Sequence, residues 1–318
     1  MTETDDLEQQ AYAAFDAGDL ATAAGWFRQL LAGHPHAVDY HYMLGLAHKY
    51  LGEWAPSLAS NLQAVACDDE FNEAAWWNAG IAATALGDWV QARRAWAACG
   101  IPIPAGEGEI ATDFGVAAVR LNPWAKGETV FVRRIDPVRA RILNVPLPES
   151  GYCFGDVVLH DGAPTGERFD GGRPVPVFNV LARWRPSAWP TFSAFVHCPA
   201  PEDVAALQAV AEAGGGYAED WSASLQILCR RCSYGLPHGH HEHHGDDGWQ
   251  PQRDIGLAAS NLAEAEAWLH AWQTAAPGRR LEGLDSSRYP VPAAPAGVVW
   301  WQGGDETDEA GETGEQAT

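Results

Sequence analysis

The chain has 318 residues and a formal charge of −22, enough length for two or three domains with cores of their own. It contains no run of about 18 apolar residues, which excludes a membrane-spanning helix. It also shows no run of clustered lysines and arginines of the kind that grips a phosphate backbone, which argues against nucleic acid as a partner.

Glycine and tryptophan recur at fixed intervals through the first hundred residues. Gly18, Gly52 and Gly87 are spaced 34 and 35 apart, and Gly45–Gly80 and Trp54–Trp89 are each 35 apart. Such a period predicts a helical solenoid, whose units bury their apolar faces only against each other. Three copies span roughly 4–37, 38–72 and 73–103. The third carries Trp76 and Trp77, Ala79-Gly80, the turn Leu86-Gly87-Asp88-Trp89, then Ala92 and Trp96. The second has Leu44-Gly45, the turn Leu51-Gly52-Glu53-Trp54 and Ala64. The first keeps Ala11, Gly18-Asp19-Leu20, Ala23, Phe27 and Pro35. These positions resemble the tetratricopeptide repeat, a helix–turn–helix unit of about 34 residues. The second copy departs from it at Pro56, in the first turn of its second helix, and at Ser57, where alanine is usual.

The resemblance implies six helices in three pairs, with the first helix of each pair lining a concave groove that binds protein partners. The groove positions would then be Tyr12, Asp39, Tyr42, Met43, Leu46, Lys49, Trp77, Asn78 and Ile81. Family members that hold a peptide's terminal carboxylate use several lysines and asparagines there, and this chain offers little beyond Lys49 and Asn78. An apolar and basic ligand fits better, in keeping with thirteen acidic against four basic side chains over residues 1–100.

A Pro/Gly segment from Ile101 opens an α+β region over 104–302. Short strands are expected at 115–121, 129–134, 139–145, 155–160 and 176–181, joined by turns such as Pro148-Glu-Ser-Gly and Asp161-Gly-Ala-Pro, which suggests an antiparallel sheet or small barrel. His160-Asp161, Glu167-Arg168 and Asp170 flank the expected loop after 155–160, and turn chemistry accounts for Asp161-Gly162 and Asp170-Gly171 without a catalytic role. Next come a strand at 190–197, a helix at 202–213 with Val204, Leu207 and Val210 on one face, and strands at 223–229 and 254–259. A helix at 261–274 bears Leu262, Ala265, Leu269 and Trp272, followed by strands near 280–285 and 298–301. The β-α-β, loop, β-α-β order is that of a ferredoxin-like sandwich. The fold class is therefore multidomain: an all-α solenoid over 1–103 and an α+β region over 104–302. Residues 303–318 form an acidic tail with no large apolar side chain, expected to stay disordered.

The chemistry-bearing cluster is the loop Cys229-Arg-Arg-Cys232-Ser-Tyr-Gly-Leu-Pro-His238-Gly-His240-His241-Glu-His243-His244. A C-x-x-C pair followed by imidazoles can complete a tetrahedral site, so Cys229, Cys232, His238, His240 and His241 are the candidate metal ligands, with His197 or Cys198 as a fourth. The ligand set favours zinc in a structural role, with copper(I) and nickel as alternatives. No nucleophile elbow, phosphate loop or zinc-protease helix occurs, so an enzyme has no positive support. The acidic start and six scattered cysteines predict a cytoplasmic protein with reduced thiols. The expected function is a protein-interaction module. A metal-dependent enzyme or metal-handling protein that uses the Cys/His cluster is the alternative.

Overall fold

The computed structural model describes residues 3–125, 127–224 and 248–301. The first hundred residues form six helices: α1 (Glu3–Asp16), α2 (Leu20–Gly33), α3 (Val38–Tyr50), α4 (Trp54–Cys67), α5 (Glu73–Leu86) and α6 (Trp89–Ala98). Each packs on its neighbours along the chain and α3 also meets α5, the stacking of a three-repeat tetratricopeptide-type solenoid. The two glycine series have different causes. Gly87 ends α5 in the left-handed region at φ 72°, its amide returning to the carbonyls of Ala83 and Thr84, and Gly18 and Gly52 share that conformation. Gly80 instead permits a close crossing, since a Cβ there would lie 2.6 Å from the Trp96 ring. Asp19 and Asp88 cap the following helices by accepting from the amides of Thr22 and Gln91. In the second repeat Ser57 is buried, and its hydroxyl donates to the Gly45 carbonyl at 2.8 Å. The departure from alanine is thus satisfied by a hydrogen bond inside the helix pair.

Strands β1 (Val116–Arg120), β2 (Thr129–Arg134), β3 (Arg139–Ile142), β4 (Val157–Asp170) and β5 (Arg173–Arg185) close into a barrel in sequence order. Meander neighbours are antiparallel, and the closing β1–β5 pair is parallel, as an odd number of strands requires. Ala117, Val119, Val132, Ile142, Val158 and Val180 fill the interior. Two elements depart from expectation. β4 and β5 form one long hairpin, and Asp161-Gly162-Ala-Pro164 lies inside β4 rather than in a turn. Register shifts between His160 and Pro164 and between Pro164 and Glu167 absorb a proline that cannot donate to the ladder. The Pro148-Glu-Ser-Gly turn forms as a short 3-10 turn ended by Gly151.

The last unit contains β6 (Thr191–His197), α7 (Pro201–Ala213), β7 (Tyr217–Asp220), β8 (Gln252–Ala258), α8 (Leu262–Thr274) and β9 (Arg280–Asp285). The sheet order is β7-β8-β6-β9 with every neighbour antiparallel, the arrangement of a ferredoxin-like sandwich. Val204, Leu207, Leu269 and Trp272 from the helices share a core with Phe192, Val196 and Leu257. The strand expected at 223–229 does not start there, since Ala223 and Ser224 are helical and 225–229 lie outside the described residues; a strand paired with β8 forms at Tyr217–Asp220. The chain then turns into the helical segment Trp221–Ser224, because Trp221 buries against Val145 and Ala258 and donates its indole N–H to the Val145 carbonyl at 2.8 Å.

No strand forms at 298–301 either. Residues 286–301 run as an irregular strap that crosses the barrel at Gly151, where Val291 packs, and reaches the solenoid. The Gly297 amide donates to the Gly18 carbonyl, and Trp301 stacks on Tyr50 with centroids 4.6 Å apart. The acidic tail 303–318 lies outside the described residues. Among those described, no helix is long and apolar enough to cross a membrane.

Candidate partner-binding face

The nine groove positions lie on the first helices of the three pairs: Tyr12 on α1; Asp39, Tyr42, Met43, Leu46 and Lys49 on α3; Trp77, Asn78 and Ile81 on α5. The structure divides them into two groups. One group is covered by the chain's own barrel and strap. Lys49, 4% exposed, places its ammonium 3.1 and 3.2 Å from the Asp161 carboxylate of β4 and 3.2 Å from Asn78 Oδ1. The Tyr50 hydroxyl donates to the same carboxylate at 3.2 Å, and the Gly162 amide donates to it at 2.8 Å. Beside this cluster the Trp77 indole abuts Gly162, so closely that a Cβ would meet its ring nitrogen at 1.8 Å. Ile81 is fully buried in one cluster with Val138 and Leu159 of the barrel, and Met43 and Leu46 pack against the cluster that holds Trp300 and Trp301.

A second contact locks the same two units. The Arg139 side chain is fully buried between the rings of Trp89 and Trp184, with its guanidinium carbon 4.5 and 4.2 Å from their centroids. It donates to Asp136 at 2.6 Å, to Glu109 at 2.8 Å and to the Ile110 carbonyl. Cation–π contact and a hydrogen bond from each guanidinium nitrogen offset its desolvation.

The other group, Asp39 and Tyr12, remains open at the N-terminal end of the face, Asp39 exposed and Tyr12 half-buried, while the half-buried Tyr42 borders the covered cluster through Asn78 and Asp161. Burial, Asp39 and Glu8 together hold the Tyr12 hydroxyl above its usual pKa. Tyr40 is raised by burial and by Glu8, which also accepts its hydrogen bond, with Asp39 and Asp5 adding to the shift. Tyr42 is raised by burial and by Asp161, against a hydrogen bond from Asn78 that lowers it. Asp5, Glu8 and Asp39 therefore lie near the hydroxyls of Tyr12 and Tyr40. Glu8 and Tyr40 were not among the sequence candidates. Glu8 lies one turn before Tyr12 on α1 and Tyr40 follows Asp39 on α3, and the two pairs meet only once α1 and α3 are brought together.

The metal-ligand candidates Cys229, Cys232, His238, His240 and His241 lie outside the described residues. Among the described residues, no group of three or more His, Cys, Asp or Glu side chains is placed to hold a metal ion. His197 ends β6 opposite Gln252. Cys198 is buried, and its thiol is pushed up to about 11 by burial and by Asp203 and Asp220. His160 is not at a loop mouth: it is fully buried, stacked on Phe178 at 4.7 Å, with Nδ1 2.7 Å from the Asp161 carbonyl. Glu167, Arg168 and Asp170 follow along β4 toward the hairpin tip, so these side chains are strung along one strand and do not gather into a dyad.

No family model matches the chain, and no curated protein does. Solved structures similar to its helical part include a CopN-Scc3 complex (18% identity, TM-score 0.29). Others are the Sgt2 TPR domain from Aspergillus fumigatus (21%, 0.29) and a Thermobaculum terrenum O-GlcNAc transferase carrying K341M (20%, 0.28). They cover 30, 31 and 31% of this chain and 56, 65 and 20% of their own. At these scores the architecture rests on this chain's own helix pairs, glycine caps and close crossings. The N-terminal third is a tetratricopeptide-like solenoid whose groove face is shared between its own barrel and an open, acidic, tyrosine-lined end.

Proposed function

We propose that this protein is an interaction module that holds a basic segment of a partner protein on the open end of the groove face. The observation that carries this reading is the set of three carboxylates, Asp5, Glu8 and Asp39, around Tyr12 and Tyr40. A lysine or arginine side chain entering there meets both charge complementarity and aromatic faces, and each contact strengthens as the site excludes water. The barrel supports the site by occupying the rest of the face, which fixes α3 and α5 in place and limits the ligand to a short segment. Cytoplasmic action belongs to this reading, on the scattered spacing of the six cysteines in the sequence. Selection of peptides by display on the full chain, followed by titration, tests it. Enriched sequences should carry lysine or arginine, and Glu8→Gln with Asp39→Asn should weaken the selected peptide about tenfold. Enrichment of acidic peptides, or affinity unchanged in the double variant, would refute it.

A second reading is favoured by one feature of the sheet. Asp220 pairs with Ile255 and His197 with Gln252, so the chain leaves and re-enters the sheet on the edge where His197 and Cys198 lie. A zinc ion bound by Cys229, Cys232 and the nearby histidines would then brace that edge, in a structural or metal-handling role. Elemental analysis of untagged protein tests it: about one equivalent of metal, lost in Cys232→Ser, supports it, and a value near zero after metal-replete expression removes it.

A further inference from the structure

The barrel has an electrostatic character opposite to that of the chain. Residues 116–185 hold ten basic side chains against seven acidic ones, half of the chain's 20 lysines and arginines. Three of these arginines stand in one row across the sheet. Arg133 is paired with Arg141 across β2–β3, Arg141 with Val157 across β3–β4, and Val157 with Arg185 across β4–β5. Directly paired residues share a face, so three guanidinium side chains project from the same side with Val157 as the floor between two of them. Like charges opposite one another on adjacent strands destabilise a sheet. A local violation of this kind, without an evident compensating contact, is expected where a site needs it.

The flanking arginines are partly compensated. Arg133 pairs with Asp113, and Arg185 with Glu109 at 2.9 Å, both as half-exposed pairs. Arg141 is different: its exposed guanidinium has no carboxylate, hydrogen-bond acceptor or ring partner among the described residues. Arg141 and Arg185 line a cavity of about 230 Å³ with Val157, Phe154, Ser187 and Trp189. Ser187 Oγ accepts from the Trp189 amide at 3.2 Å, which leaves its proton for a ligand. A fork of guanidinium donors with a hydroxyl beside it matches a carboxylate or phosphate, and Phe154 and Trp189 supply an apolar wall for whatever carries it.

We propose that this cleft between β3, β5 and the segment 186–189 binds a small organic anion, with a carboxylate or phosphate on Arg141 and an apolar, preferably aromatic, group against Phe154 and Trp189. A cavity of this volume admits a small molecule. A long polyanion would in addition meet the excess negative charge of the rest of the chain.

Titration calorimetry of the full chain with phenyl phosphate, benzoate and inorganic phosphate tests the assignment. Phenyl phosphate or benzoate should bind at one site, more tightly than inorganic phosphate, and more weakly as salt rises. Which of the two binds better separates a phosphate from a carboxylate ligand. Arg141→Gln should weaken binding about tenfold or more, and Arg141→Lys should recover only part, because a point charge does not reproduce the fork. Arg173→Gln, an equal change of charge at the far end of the hairpin, should leave affinity unchanged. The melting temperature of Arg141→Gln should hold or rise, since a repulsion across β2–β3 is removed. Failure of both aromatic anions to bind, equal loss in Arg173→Gln, or binding of an oligonucleotide but not of the small anions would each overturn the proposal.

Discussion

Substituting Asp161 tests whether the barrel seals the groove face. Its carboxylate is the sole acid within reach of the Lys49 ammonium among the described residues, and it also accepts from the Tyr50 hydroxyl and the Gly162 amide. The paired side chains are 4% and 9% exposed, so solvent cannot replace what is lost. Asp161→Ala leaves the ammonium with Asn78 Oδ1 at 3.2 Å and the Tyr50 ring at 4.3 Å, neither of which neutralises it. Breaking a buried pair from one side costs about 3–5 kcal/mol. Removing both charges together in Lys49→Met/Asp161→Leu should cost much less, because the desolvation penalty disappears with the pair. Denaturant unfolding followed by far-ultraviolet dichroism and by tryptophan fluorescence reads both, and the double-mutant cycle isolates the coupling. A loss below about 1 kcal/mol in Asp161→Ala, or a double variant that loses the sum of its singles, would show that the carboxylate and the ammonium do not meet in a buried interface.

Two titrations should shape the stability profile. Burial pushes His160 down to about 4. A buried neutral imidazole contributes stability that is complete above its unfolded value near 6.5 and is lost as pH falls from there toward 4. The difference corresponds to about 3 kcal/mol, and His160→Leu should flatten this acid limb of a melting-temperature profile. Glu128 is pushed up to about 8 by burial, reinforced by Glu219 and Glu149 and opposed by the Leu147 amide it accepts from. Its contribution is fully present below the ordinary carboxylate range and is lost as pH rises through about 8. Glu128→Gln should therefore flatten the alkaline limb, and an unchanged limb in that variant would contradict the burial of the carboxyl group.

Much of the architecture was legible where its cause is local. The beat of Gly18, Gly52 and Gly87 reports a left-handed helix end, and Gly45 and Gly80 report a close helix crossing; both needs recur with the repeat and so appear as a period. The sandwich was readable from β6, α7, β8, α8 and β9, whose apolar faces follow strand or helix spacing. β7 was overlooked because Tyr217-Ala-Glu-Asp follows three glycines and carries two acids, a composition that reads as a turn. What decides its position is Trp221, which binds Val145 some 76 residues away. The helices that carry the expected groove positions were readable on the same basis as the repeats. That the barrel covers part of those positions was not, because Lys49 and Asp161 are 112 positions apart and nothing in either neighbourhood announces the other. The row of Arg133, Arg141 and Arg185 was invisible for the same reason: it exists across strands and not along them.

The closure bears on how partner binding can be measured. A fragment ending near residue 103 would keep the six helices but lose everything that covers their groove face. Trp77, Ile81, Trp89 and Trp96 now share an apolar cluster with Val138, Leu159 and Trp184 of the barrel region, and Phe15 and Tyr50 meet the Trp300–Trp301 strap in a cluster that Met43 and Leu46 also flank. Without these partners a contiguous apolar surface meets water, and surfaces of that kind associate or capture apolar ligands regardless of specificity. The uncovered Lys49 would also add a cation to the face that the proposed basic ligand approaches. The fragment should therefore self-associate and bind apolar peptides that the full chain ignores, while losing preference for basic ones. Sedimentation of fragment and full chain side by side, with the same peptide titrated into each, reads this directly. A monomeric fragment with the full chain's peptide preference would mean that the barrel and strap contribute nothing to the shape of the site.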